Sequence, residues 1–355
     1  MATKTPILFQ RNLLVPTLNH IRAKECISLV GVGTLGKTRY IRRAQERDVF
    51  NYYMQNHELN HDQVLFVEID PNAMLPFDNA EHQVPPTWAG LELIMSRILA
   101  AAARQRADVL EQLAEAKAHT QNPDQLENLK EYEAHFRKQI EGEAKMQQDQ
   151  YGMLFDESYL MQSAALRQLE AMINYLFKRF KKVILVFDEF ELLFDKMPAS
   201  FFVNLRSIRD SQRYDLLFFT SSRVELRNLA DQKKVRASES FIELFRDTVY
   251  MRPVSRQRYP DAFIQSQDEA KNDAEALTRM LNERLREGRP IHPDNIVALW
   301  DLTDCFSGLL RTALQVIDGS LNVAKALNDP VTTIGNQLIK QPDMLRELEI
   351  LWQSL

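Results

Sequence analysis

Five short apolar runs stand out along the chain: CISLVG at 26–31, VLFVEID at 64–70, KKVILVFDEF at 181–190, DLLFFTSS at 215–222 and TVYMRPVS at 248–255. Each is the length of a strand, and the third has an unbroken apolar centre of the kind shown by parallel strands buried on both faces. Polar and apolar residues between the runs are mixed in helix-compatible fashion. The pattern therefore predicts alternating β and α elements around a mainly parallel sheet covered on both sides.

After the first run, TRYIRRAQERDVFNYYM carries helix-compatible residues without Pro or Gly. From Trp88 to about Tyr151 the chain is rich in Ala, Gln, Glu, Lys and Arg, which predicts a long helical insertion. Pro123 divides that insertion into two halves, as expected for an antiparallel helical hairpin. Such a hairpin is either a solvated elaboration or an arm that contacts a partner or a second copy of the chain. Beyond the fifth run the sequence is helical, with Gly288 and Pro290 marking a turn. The expected organisation is a core over 1–258, interrupted by the insertion at about 88–150, and a separate α-helical lobe over 259–355.

Composition narrows the class. The 355 residues are 45% hydrophobic and 26% charged, ordinary for a globular protein. No run approaches the roughly 20 apolar residues of a bilayer span, and the opening MATKTPILFQRNLL lacks the pattern of an export signal. Only Cys26 and Cys305 are present, far apart, which fits reduced thiols in a cytoplasmic setting better than a disulfide framework. A formal net charge of -5 argues against a surface built wholly for nucleic acid. Basic clusters at 178–182 (KRFKK) and 256–258 (RQR) leave a local patch open.

The chemistry concentrates at GVGTLGKT, residues 31–38, which satisfies G-x-x-x-x-G-K-[ST] between an apolar strand and a helix. Gly31, Gly33 and Gly36 permit close backbone approach, and the loop amides of Thr34, Leu35 and their neighbours, with the positive end of the next helix, suit a phosphate chain. Lys37 is the mobile cation for β- and γ-phosphates, and Thr38 the hydroxyl for Mg²⁺. Arg39 follows directly. In VILVFDEFELLF an apolar strand delivers Asp188 and Glu189 to its carboxyl end, where open α/β sheets bind ligands. Asp188 is the candidate Mg²⁺ partner. Glu189, expected on the opposite side of the strand end, is the candidate for orienting or deprotonating an attacking water.

With these residues in place, the sequence resembles the AAA+ ATPases, in particular the origin-recognition-like and STAND-type branch. The resemblance rests on GVGTLGKT, VILVFDEFELL, LLFFTSS followed by Arg223, and GLLRTAL. It implies a P-loop NTPase core with a five-stranded sheet ordered 5-1-4-3-2 and a C-terminal helical lid. It also implies ATP and Mg²⁺ as cofactors, with ATP favoured over GTP by the lack of an N-K-x-D motif as well. Within this resemblance Ser221, between Thr220 and Ser222, takes the place of a γ-phosphate sensor, although Ser and Thr at a strand end also serve as turn formers. Arg311 looks like the lid arginine that folds over nucleotide, in a sequence where CFSG replaces a more glycine-rich turn; a plain surface arginine is the competing reading. Arg246 takes the place of a finger arginine acting on a neighbouring subunit, with Arg223 and Arg252 as rivals. Relatives carry a Gly-Arg pair ahead of the first strand; here Arg11 stands without the glycine, which leaves the base end open.

The function expected is an ATP-driven switch, hydrolysing ATP to ADP and phosphate, that controls homo-oligomerisation or a partner protein through the insertion or the lid. One alternative is a DNA-binding initiator or loader, possible but not favoured by the acidic balance. The other is a nucleotide-binding scaffold that does not hydrolyse. A small-molecule kinase is a further possibility, against which stand the Asp-Glu pair and the polar strand that follows it. Nothing in the sequence calls for a membrane.

Overall fold

The computed structural model describes residues 9–33, 35–55, 57–74, 86–120, 162–212, 214–233, 239–258, 271–286, 293–320 and 338–353, with parts of 123–138 and 335–336. The expected turn at Gly288 and Pro290, and the last part of the insertion toward Tyr151, lie outside the described residues. The five predicted strands are present as β1 (Ile27–Val30), β2 (Val64–Ile69), β3 (Lys182–Phe187), β4 (Leu216–Ser222) and β5 (Thr248–Tyr250). Their order in the sheet is β2-β3-β4-β1-β5, which is the expected 5-1-4-3-2 read from the other edge. β2 runs parallel to β3 from Val64↔Lys182 to Ile69↔Phe187, and β1 runs parallel to β5 from Ser28↔Thr248 to Val30↔Tyr250. All six positions of β3 and all seven of β4 are buried, which explains why neither strand shows alternation in sequence.

The longer helices are α1 (Arg11–Ala23), α2 (Lys37–Gln45), α3 (Arg47–Met54), α4 (Pro86–His119), α5 (Gln162–Leu176), α6 (Ala199–Ser211), α7 (Asp273–Arg286), α8 (Pro293–Thr303), α9 (Ser307–Ser320) and α10 (Pro342–Gln353). The chain divides into two compact units.

The first unit comprises Met1–Asn60, Thr220–Asn228 and Phe245–Leu355. Its α1, with Pro16 inside it, is not among the expected elements. Thr17 holds it in place: its hydroxyl lies 2.5 Å from the buried Tyr40 hydroxyl, which donates to the Leu13 carbonyl at 2.9 Å. The stretch read as one helix after β1 is two, broken at Glu46, whose φ of −61° and ψ of 129° are extended. Arg43, almost wholly buried, pairs with Glu46 at that break. The helical lobe has its own core of Leu277, Leu281, Leu299, Leu310 and Leu314, and Phe9 from ahead of α1 joins it.

The second unit comprises His61–Phe219 and Leu229–Leu244. Here α4 extends over 34 residues, roughly 50 Å at 1.5 Å per residue. Its first half is packed rather than projecting: Trp88, Leu91, Ile94, Met95 and Ile98 are buried, and the helix lies on β2 and α5. A side chain at Gly90 would come within 2.7 Å of the Phe201 ring, so this helix approaches α6 closely. Beyond it, Lys117 pairs with Glu133 across Pro123, and Arg137 reaches the same carboxylate at 2.8 Å. Ion pairing thus joins the residues on the two sides of Pro123.

Candidate phosphate-binding site

The loop from Gly31 leaves β1 between two strands. The Gly31 amide donates to the Ser222 carbonyl at 3.1 Å, and the Met251 amide donates to the Val30 carbonyl at 2.7 Å. Gly31 is required by packing, since a Cβ there would lie 2.9 Å from the Met251 Cβ. Gly36 is required by backbone conformation: φ is +85°, and a Cβ would meet the Ser307 hydroxyl at 3.0 Å. Leu35 is buried beneath the loop, and Gly33 is buried within it. Thr34 lies outside the described residues.

Gly36 is also the N-cap of α2. It offers no capping side chain, and no acidic residue stands in the first turn. First-turn amides and the positive end of the helix dipole therefore mark this end, the chemistry an anion needs. The Lys37 ammonium folds back over the loop, donating to the Gly31 carbonyl at 2.6 Å and the Val32 carbonyl at 3.4 Å. Neutral carbonyl acceptors of this sort are ones that a doubly charged phosphate outcompetes. Thr38 and Arg39 are exposed on the first turn, and the Arg39 guanidinium lies 3.3 Å from the Met280 sulfur of α7.

The helical lobe reaches the loop through Ser307, the first residue of α9. Arg311 is one turn further along α9 and exposed. The turn ahead of α9 works without the expected glycines because Asp304 (φ 44°) and Cys305 (φ 58°) take left-handed conformations themselves. The Cys305 carbonyl accepts from the Val254 amide at 3.4 Å, and the Arg256 guanidinium lies 3.2 Å from the Cys305 sulfur and 2.7 Å from Asp301. The segment after β5 is thus tied to the start of α9. The Gln10 amide donates to the Asp273 carboxylate at 2.8 Å, joining the residue before Arg11 to α7.

Among the remaining candidates, Thr220, Ser221 and Ser222 are all fully buried in β4. The Thr220 hydroxyl donates to the Ile27 carbonyl at 3.3 Å, and the Ser222 hydroxyl donates to the Val224 carbonyl at 2.7 Å. Those two hydroxyls serve the backbone. Arg223 is exposed directly after β4, Arg246 two residues before β5, and Arg252 after it.

In the second unit, β3 ends at Phe187, so Asp188 and Glu189 lie in the turn beyond the strand rather than on it. The expectation that strand alternation sends their side chains to opposite sides therefore does not apply. Glu189 adopts a left-handed φ of 50°, a strained state for a residue with a side chain. The Asp188 carboxylate accepts from the Glu189 amide at 3.1 Å. Phe187 and Phe190 anchor the turn on either side. Both are fully buried, 5.5 Å apart edge to face, and Phe190 stacks on Phe241 at 5.8 Å. Asn72, not among the residues expected from the sequence, joins this turn. Its side-chain amide donates to the Glu189 carboxylate at 3.2 Å, and its own backbone amide is capped by Asp70 at 2.9 Å. Its only signal is a polar residue just past the end of β2 in EIDPN, and partnership across 117 residues is invisible to local pattern.

The strand order and the glycine-rich loop between β1 and α2 define a P-loop NTPase α/β fold. No protein-family model matches the chain, and no curated protein matches it. Among solved structures it is similar to a Walker-type ATPase of Pyrococcus abyssi, at 14% identity over 99% of this chain and 78% of that one, with a TM-score of 0.47. It is also similar to the ORC2 protein of Aeropyrum pernix, solved as ADPNP-ADP complexes (10% identity, 92% of this chain and 65% of that one, TM-score 0.47). A third similar structure is the Aeropyrum pernix ORC1 protein in complex with DNA (13% identity, 96% and 65%, TM-score 0.41). The chain thus spans just under two thirds of the length of both Aeropyrum pernix proteins. No described helix is long and apolar enough to cross a membrane.

Proposed function

We propose that this protein binds Mg-ATP at Gly31–Thr38, hydrolyses it, and uses the bound nucleotide as a switch on its helical lobe, and thereby on self-association or a partner protein. The observation that carries this reading is the approach of Ser307 to Gly36, which brings the first turn of the Arg311 helix to the phosphate loop. A ligand that reshapes the loop must then act on that helix. In this reading the amides of Gly33 to Thr38 and the Lys37 ammonium hold the phosphates, and Arg39 and Arg311 add positive charge at the lobe side. Thr38 and Asp188 offer the hard oxygen donors that suit Mg²⁺, which would neutralise phosphate charge when bound. Glu189 takes a proton from, or orients, the attacking water. Ser221 and Arg246 are the proposed sensor and finger, with Arg223 and Arg252 as rival fingers.

The test is ATP turnover together with mass in solution, with and without Mg-ATP. Lys37→Ala should lose nucleotide binding by about 100-fold or more, since the Lys charge meets the β- and γ-phosphates. Glu189→Gln should keep binding, reduce turnover by about 100-fold and hold the protein in its ATP-bound mass state. Undiminished turnover in Glu189→Gln removes Glu189 from the mechanism, and no turnover in the parent chain leaves a nucleotide-binding scaffold.

A further inference from the structure

At the amino ends of β1 and β5, away from the phosphate loop, three metal-binding side chains converge. His20 lies in the last turn of α1, Glu25 two residues before β1, and Asp247 directly before β5. One potential ligand atom from each lies within 4.8 Å of the others. The His20 Nδ1 and the Glu25 carboxylate are 2.9 Å apart. β1 has four residues, so roughly 13 Å of extended chain separates this cluster from the loop at the carboxyl end.

The backbone builds this arrangement. Helix α1 ends at Lys24, which takes a left-handed φ of 61°, and the Glu25 amide turns back to the His20 carbonyl at 2.9 Å. This helix-ending motif brings the backbone of Glu25 beside that of His20. Pairing of Ser28 with Thr248 then fixes Asp247 against the residues leading into β1. Three ligands are held by one helix end and one strand register. The carboxyl end of α1, with its negative dipole, adds attraction for a cation. His20 and Asp247 also line a groove of about 660 Å³ between α1 and β5, so water can complete a coordination sphere.

We infer that His20, Glu25 and Asp247 form a binding site for a divalent cation of the Zn²⁺ class, independent of nucleotide. One imidazole nitrogen with two carboxylates, and a fourth position open to water, matches that ion's ligand preference better than the all-oxygen sphere of Mg²⁺ or Ca²⁺. At bond lengths of about 2.05 Å, tetrahedral ligands sit roughly 3.3 Å apart. The His20–Glu25 pair therefore opens by a few tenths of an ångström as the cation takes the place of the proton between them. That proton leaves to solvent or, by tautomerisation, moves to Nε2. The bound ion cross-links α1, the entry to β1 and the entry to the three-residue β5, beside Arg246.

The experiment uses the full chain, stripped with chelator and free of nucleotide. Zn²⁺ is titrated against a competing fluorescent chelator, and Co²⁺ is used as an optical probe. The expected result is one ion per chain at low micromolar affinity or tighter, with visible Co²⁺ bands of a low-coordinate N/O site. Asp247→Asn, at an exposed position, should weaken binding at least tenfold, and His20→Gln should abolish it. Zn²⁺ at about 100 times its Kd should raise the melting temperature of the parent but not of Asp247→Asn. The proposal is overturned by an affinity no tighter than millimolar, or by binding of equal strength in Asp247→Asn. Either result leaves a hydrogen-bonded helix end, and neither bears on the ATPase reading, which is measured with Mg²⁺ and nucleotide.

Discussion

Around Glu189 the backbone is held by rings; around Gly36 it is held by hydrogen bonds and by the shapes of individual residues. In the second unit Phe187, Phe190, Phe194, Phe202, Phe218 and Phe241 form one connected set of ring contacts, all buried, and the Asp188–Glu189 turn is clamped between two of them. In the first unit several joints between elements are polar: Gln10 to Asp273, Thr17 to Tyr40, Arg256 to Asp301, and Trp300 to Thr278 at 2.8 Å. Several of its turns also take positive φ with side chains attached, at Gln10, Lys24, Asp304 and Cys305. Burial of aromatic surface is worth several kcal/mol per ring, whereas a net hydrogen bond contributes about 1 kcal/mol. The Asp188–Glu189 turn is therefore anchored by larger burial terms than the polar joints of the first unit are.

Three changes probe that contrast. The largest effect is expected for Phe190→Ala, which removes a fully buried ring and should cost about 3–5 kcal/mol in urea unfolding. A loss under about 1 kcal/mol would show that the rings do not clamp the Glu189 turn. Next is Gly36→Ala, which must hold φ at +85° and meet the Ser307 hydroxyl at 3.0 Å. It should cost about 1–2 kcal/mol and weaken ATP binding. Adding Ser307→Gly should recover part of the affinity, because it removes the contact but not the backbone strain; no recovery would uncouple loop from lobe.

The smallest effect concerns pH. Burial pushes the Tyr53 hydroxyl from 10.0 up to about 12, with Arg11 opposing and Tyr52 adding to the rise. A raised pKa means the folded state favours the neutral phenol. Its contribution is complete below pH 10 and is lost as pH climbs toward about 12. Tyr53→Phe should therefore flatten the decline of stability across that window, as followed by thermal melts. An unchanged slope would mean that this half-buried phenol does not set the alkaline limit of the first unit.

Much of the fold was legible because the signals were local. A run such as VILVF reads as a strand buried on both faces, and G-x-x-x-x-G-K-T can be read position by position. What escaped was decided by distant partners. Helix α1 is tied down by the bond from Thr17 to Tyr40, and nothing near Glu46 announces the break between α2 and α3. The Ala-rich segment after Pro86 reads as an insertion apart from the sheet, yet its first half is covered by β2 and α5. Asn72 and Ser307 were missed for the same reason: each matters through a residue more than a hundred positions away.

By itself the sequence determined the strands, the glycine-rich loop after β1 and the acidic pair following β3, since each depends on residues adjacent in the chain and on their own conformational and burial preferences. Only the tertiary structure decided what touches them. It brought the start of α9 to Gly36, Asn72 to Glu189, and His20 to Asp247, because strand order and helix packing, rather than local pattern, choose which distant side chains share a neighbourhood.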